Sequence, residues 1–108
     1  MSNAPPVADF DDPEPVKIVQ LDEGCKRQQV GEGHFRDLAS VPTHAITLTI
    51  PTLMKVANIF CIVPERRKAA AVRNALEGPI ATACPASILR RQAHARLLLD
   101  SDAASLLA

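Results

Sequence analysis

IFCIVPERRKAAAVRNALEGP, residues 59–79, decides the fold. Ile59 to Val63 is an unbroken apolar run, as a strand covered on both faces of a parallel sheet requires. Pro64 ends it. From Glu65 to Glu77 the residues favour helix: Ala69, Val72, Ala75 and Leu76 form an apolar stripe, Ala70 and Ala71 add propensity, and Gly78-Pro79 supplies a stop. A buried strand running into an amphipathic helix is half of a βαβ unit.

The flanking sequence repeats the alternation. Upstream, Val16 to Leu21 alternates apolar and polar residues like a strand with one wetter face. Asp22 is placed to cap a helix, with Glu23 in its first turn, that runs until Gly31 and Gly33 stop it. After a loop to Pro42, His44 to Ile50 is β-branched at most positions and reads as a strand, and Pro51 suits the first turn of a short helix. Downstream, a loop through Cys84-Pro85 leads to a short helical stretch near Ser87 to Arg91. The strand Ala95 to Leu99 follows, and Asp100, Ser101 or Asp102 is placed to cap a last short helix to Leu107. Strands and helices in alternation predict an α/β fold around a mainly parallel sheet. Residues 1–15, with Pro5, Pro6, Pro13 and Pro15 among Asp9, Asp11, Asp12 and Glu14, read as an extended segment, and residues 16–108 as the α/β portion.

Composition narrows the function. With 108 residues the chain makes at most one domain, and its core must be aliphatic, because Trp and Tyr are absent and Phe10, Phe35 and Phe60 are the only rings. Twelve basic residues balance twelve acidic ones, which gives no global field for nucleic acid or an anionic membrane. No apolar run approaches the roughly 20 residues that span a bilayer. Cys25, Cys61 and Cys84 are an odd, widely spaced set without a CxxC motif or a secretory signal, which points to a reducing, cytoplasmic setting. Cys61 reads as inert core, and Cys84 has no base beside it in sequence. His34, His44 and His94 lack ligand spacing, so no metal site is expected, and no cofactor is implied.

The feature that points to chemistry is Glu65-Arg66-Arg67-Lys68, directly after the buried strand. The positive end of the helix dipole disfavours cations there unless an anion lies nearby. Free N–H groups and a lysine at the C-terminal edge of a parallel strand are the parts of a phosphate site. Lys68 is the expected phosphate ligand, with Arg67 beside it; the alternative is a solvated basic face partly offset by Glu65. A second cluster, Cys25-Lys26-Arg27-Gln28-Gln29, offers Arg27 and Gln28 to a hydroxylated, phosphorylated ligand, or else forms an ordinary surface helix. Thr47 and Thr49 lie along a strand, where filling its polar face is the simpler role.

From Val41 to Asp100 the ordered set Val41-Pro42, Ala45-Ile46-Thr47, Thr52, Lys68, Glu77-Gly78, Ser87 and Asp100 resembles the C-terminal half of glucosamine-6-phosphate deaminases/isomerases, a superfamily shared with 6-phosphogluconolactonases. The resemblance implies part of a three-layer domain whose N-terminal half is missing. Its parent reaction converts glucosamine 6-phosphate to fructose 6-phosphate and ammonia, and its substrate phosphate is held by a lysine that falls on Lys68. The family segment G-x-x-x-D-G-H-[IL]-A-F-N-[ED]-P, which carries the ring-opening histidine and its carboxylate partner, aligns only by its tail with Ser2-Asn3-Ala4-Pro5. That makes Asn3 substrate-proximal and puts Ala4 where the motif has an acid. A phosphate-contacting arginine is expected shortly before Phe35, where Gly33 and His34 stand. The resemblance therefore implies no catalytic residue in this chain, little turnover alone, and a phosphorylated amino sugar as ligand. Pairing with a missing half or with further copies of the chain is expected. The competing readings are a 6-phosphogluconolactonase-like hydrolase and a non-catalytic module that binds phosphosugars or oligomerises.

Overall fold

The structure, a computed structural model, describes residues 8–108. Within the extended opening, Asp9 and Asp12 accept hydrogen bonds from the backbone N–H groups of Asp11 and Glu14, two residues on in each case. These side chains do locally what a regular element would otherwise do. Two buried or half-covered threonines then pin the segment. Thr49, fully buried, donates from its hydroxyl to the Glu14 carbonyl at 2.6 Å, and Thr52 donates to the Pro15 carbonyl at 3.1 Å. Thr49 thus serves the packing of the opening segment rather than a ligand pocket.

Strand β1, Val16–Gln20, pairs antiparallel with β2, His44–Leu48. Between them lie helix α1, Glu23–Gly31, and a 3-10 turn, Leu38–Ser40. Asp22 caps α1 by accepting from the Cys25 N–H at 2.7 Å. The antiparallel pairing differs from the mainly parallel sheet read from the sequence, and its cause is visible at the base of the excursion. The Leu21 N–H donates to the Thr43 carbonyl at 2.8 Å, so the chain re-enters where it left, as an enlarged hairpin does. A parallel return would have to travel the length of the strand first.

Helix α2, Ile50–Met54, leads to β3, Ile59–Val63, which pairs in parallel with β4, Ala95–Leu99. The crossover contains a 3-10 turn, Arg66–Lys68, then helix α3, Ala69–Glu77, and a 3-10 segment, Pro85–Arg91. The α/β reading is borne out, and the parallel sheet it expects is found in the pairing of β3 with β4. The expected last helix near Leu107 is a run of turns instead, opened by Asp100 accepting from the Ala103 N–H at 2.7 Å.

Among the described residues, each ladder is well covered on one face only. Val72 and Ala75 of α3 and Ile88 of the Pro85–Arg91 segment are buried, and Ser87 is sealed with its hydroxyl accepting from the Ala81 N–H at 3.0 Å. On the other face of β3 and β4, Phe60, Ile62 and Leu98 are exposed, and Val16, Ile18, Ile46 and Leu48 are exposed on β1 and β2. The expectation that Ile59 to Val63 is covered on both sides therefore fails on its Phe60–Ile62 face. The helices present pack one side, so the three-layer arrangement is incomplete among the described residues. Gln92 ties the halves together by donating to the Met54 carbonyl at 3.1 Å, and Arg91 sits 6.0 Å from the centre of the Phe10 ring.

Candidate phosphate-binding site

Parallel strands β3 and β4 both end at one rim, and the loops leaving that rim hold most of the charge that the sequence singled out. After Val63, Pro64 turns the chain and Glu65 adopts φ 81° and ψ 144°, a conformation rarely taken by a residue with a Cβ. Asp100, the first residue past β4, fixes this turn by accepting from the Glu65 N–H at 3.0 Å while its other oxygen accepts from Ala103. Those two N–H donors, Ala103 first, hold the Asp100 carboxyl below the usual carboxylate range.

The turn then presents its cations in sequence, each against a carboxylate. Arg66 meets Asp102 at 3.0 Å, Arg67 meets Glu65 at 2.6 Å, and Lys68 meets Glu32 at 2.6 Å. The anion demanded by cations at the start of a helix is thus supplied by the chain itself. Arg67 also donates to the Gly31 carbonyl at 3.2 Å, so two residues of the 3-10 turn reach the C-terminal end of α1. The Glu65–Glu77 helix expected from sequence is accordingly a 3-10 turn followed by α3, because the positive φ at Glu65 and these contacts set the geometry of the first turn.

Of the second cluster, Gln28 joins this rim and Arg27 does not. Gln28 donates from its side chain to Glu32 at 2.9 Å, on the same oxygen that Lys68 contacts. Arg27 lies on the exposed side of α1, 3.5 Å from Glu23 one turn earlier. Asn3 lies outside the described residues. The local sequence marks Glu32 only by its position between Gly31 and Gly33. Its second oxygen lies 3.5 Å from His34 Nε2. The Gln28 amide first, then the Lys68 ammonium and the Arg67 charge, hold the Glu32 carboxyl down to about 2.

Lys68 and Glu32 are each about three-quarters covered, at 26% and 23% side-chain exposure, whereas Arg66 and Arg67 project further into solvent. The rim can therefore do two things: bind an anion through a positioned ammonium, and hold carboxylates ionised. It is poorly suited to moving protons at neutral pH, since depressed carboxyl groups are weak bases. Burial raises the Cys61 thiol, which makes a thiolate nucleophile there unfavourable. Among the described residues no group of three or more His, Cys, Asp or Glu could hold a metal ion, and no helix is long and apolar enough to cross a membrane.

No family model matches the chain. It is 44% identical over 90 residues to a glucosamine-6-phosphate deaminase of Exiguobacterium sibiricum, a match that takes in 83% of this chain and 35% of that protein. A glucosamine-6-phosphate deaminase of Pseudarthrobacter chlorophenolicus is 45% identical over 73 residues, 68% of this chain and 28% of its own length. Among solved structures, a monomeric glucosamine-6-phosphate deaminase of the NagB superfamily superposes with a TM-score of 0.87 and 32% identity, over 97% of this chain and 42% of that one. The chain spans about a third of the length of the curated relatives it matches.

Proposed function

We propose that this chain, which is related to the glucosamine-6-phosphate deaminases, supplies the phosphate-holding rim of a deaminase-type site, with Lys68 as the ligand of the sugar's phosphoryl group. The observation that carries the reading is the placement of the Lys68 ammonium. It stands largely covered, at the start of α3, beside the C-terminal ends of the parallel strands β3 and β4, where α/β sheets bind their ligands. Arg67 lends positive charge from the neighbouring position, and Gln28 meets the same Glu32 oxygen as Lys68.

The ligand class is a phosphorylated amino sugar, by relation to the deaminases. The parent reaction isomerises an aldose to a ketose and releases ammonia, which needs a carboxylate base and a ring-opening acid. At this rim Glu32 and Asp100 are both held below the usual carboxylate range, so the rim binds and does not turn over. Titration of the 108-residue protein with glucosamine 6-phosphate, followed by calorimetry, tests this. Lys68→Met is expected to weaken binding by about tenfold to a hundredfold, the range for a charge-assisted hydrogen bond. Ammonia release by the unaltered chain is expected to be near background. Binding indifferent to Lys68→Met would refute the assignment, and brisk ammonia release would place a base elsewhere.

The exposed apolar faces of the two ladders favour association with protein, and copies of the same chain are the partner we infer. The cysteine usage and the relation to enzymes of sugar metabolism support a cytoplasmic setting.

A further inference from the structure

Glu32 is the point at which separate parts of the rim converge. Its Oε1 accepts from Gln28 of α1 and from Lys68 of the 3-10 turn, and its Oε2 faces His34 of the following loop. A carboxylate so placed offers Lys68 what a phosphoryl group would, namely negative oxygens that accept a charge-assisted hydrogen bond. We propose that Glu32 is a built-in competing anion of the Lys68 subsite, so that a phosphoryl group gains the ammonium only by displacing it. The inference rests on Lys68 being the phosphate ligand.

The local backbone suits a carboxylate that swings. Glu32 stands between two glycines: Gly33 takes φ 81°, and a Cβ placed on Gly31 would meet nothing within 4 Å. Neither neighbour carries a side chain that would stand in the way of a change in the Glu32 rotamer. Its charge is durable. With Gln28, Lys68 and Arg67 all favouring the ionised form, the carboxyl stays an anion throughout the neutral range. A phosphate dianion arriving at Lys68 therefore meets a fixed like charge, and the two repel. Arg67 and Arg66 offset this repulsion only in part, because each is already paired with a carboxylate, Arg67 with Glu65 and Arg66 with Asp102.

The deciding variant is Glu32→Gln, which keeps an oxygen to accept from Gln28 and Lys68, removes the charge, and turns an amide NH2 toward His34 in place of Oε2. Calorimetric titration of the 108-residue protein with inorganic phosphate and with glucosamine 6-phosphate is expected to show tighter binding of both. The gain should be about fivefold, the upper end for a partly exposed ion pair. Weaker or unchanged binding by Glu32→Gln, with Lys68→Met still weakening binding at least about tenfold, would overturn the competing-anion role and leave the phosphate subsite standing. Equal binding by unaltered protein and Lys68→Met would remove the subsite and the competitor together. A measurement on the unaltered chain needs no variant to fold. The carbon-13 resonance of the Glu32 carboxylate should move as phosphate saturates the protein, and a resonance that stays fixed at saturation contradicts displacement.

Discussion

Glu65 carries a backbone conformation that its side chain opposes. At φ 81° and ψ 144° a non-glycine residue is strained by about 1–3 kcal/mol, and the surrounding bonds hold it there: its N–H goes to Asp100, and its carbonyl accepts from the Lys68 N–H at 3.1 Å. Glu65→Gly removes the strain and adds the unfolded-state entropy of glycine, leaving a net gain of about 1 kcal/mol. Loss of the half-exposed Arg67 pair subtracts little. Thermal unfolding followed by circular dichroism should show a midpoint higher by about 4–8 °C. A lower midpoint would mean that the Arg67 contact outweighs the strain. At this scale the sequence was informative about half of the rim. Arg67 and Lys68 stand out because cations at the start of a helix contradict a local rule. Glu32 does not, because its contact with Lys68 closes over 36 positions and no local rule is broken where it stands.

Among the elements, α3 shows how a correct boundary can have a different cause from the one its sequence suggests. Gly78 ends the helix where the Gly78-Pro79 pair said it would, yet its φ is −82°, which any residue adopts. What Gly78 provides is room: a Cβ there would lie 2.6 Å from the Asn74 carbonyl oxygen, inside contact distance with backbone that cannot move alone. Gly78→Ala is therefore expected to cost about 1–3 kcal/mol as the last turn of α3 shifts. Urea unfolding should give a lower midpoint at unchanged slope. Gly31→Ala, where a Cβ meets nothing within 4 Å, is the comparison, and equal effects at the two positions would disprove the steric account. The remaining elements were legible to the extent that their signals were local. Pro85 begins its helical segment, but one of 3-10 type, and Asp100 caps a turn that Leu107 does not extend into a helix. Periodicity shows where a segment coils, and only packing shows how tightly.

For the molecule as a whole, alternating strand and helix patterns disclosed an α/β chain, since each pattern is set by its own residues. The antiparallel return of β2 and the one-sided cover were not legible, because both depend on what lies across from a strand rather than on the strand. Ile59 to Val63 is informative here. Its continuous apolar run states that both faces seek cover, and Phe60 and Ile62 are nevertheless 64% and 72% exposed. Ile18 and Ile46, opposite one another on the antiparallel ladder, are 71% and 75% exposed. The radius of gyration, 14.3 Å against about 13 Å for a compact chain of this length, fits a slab whose sides are not both packed. Ladders of two strands are marginal in water without a packed partner, and open apolar faces of this kind associate. Sedimentation velocity at micromolar concentration should accordingly report a mass above that of one chain. Ile18→Lys combined with Ile62→Lys places charge on each open face, at positions largely exposed among the described residues, and should return the protein to monomer with its circular dichroism intact. A single-chain mass for the unaltered protein across the concentration range would show that these faces tolerate water, and the inferred partnership would then have to be abandoned.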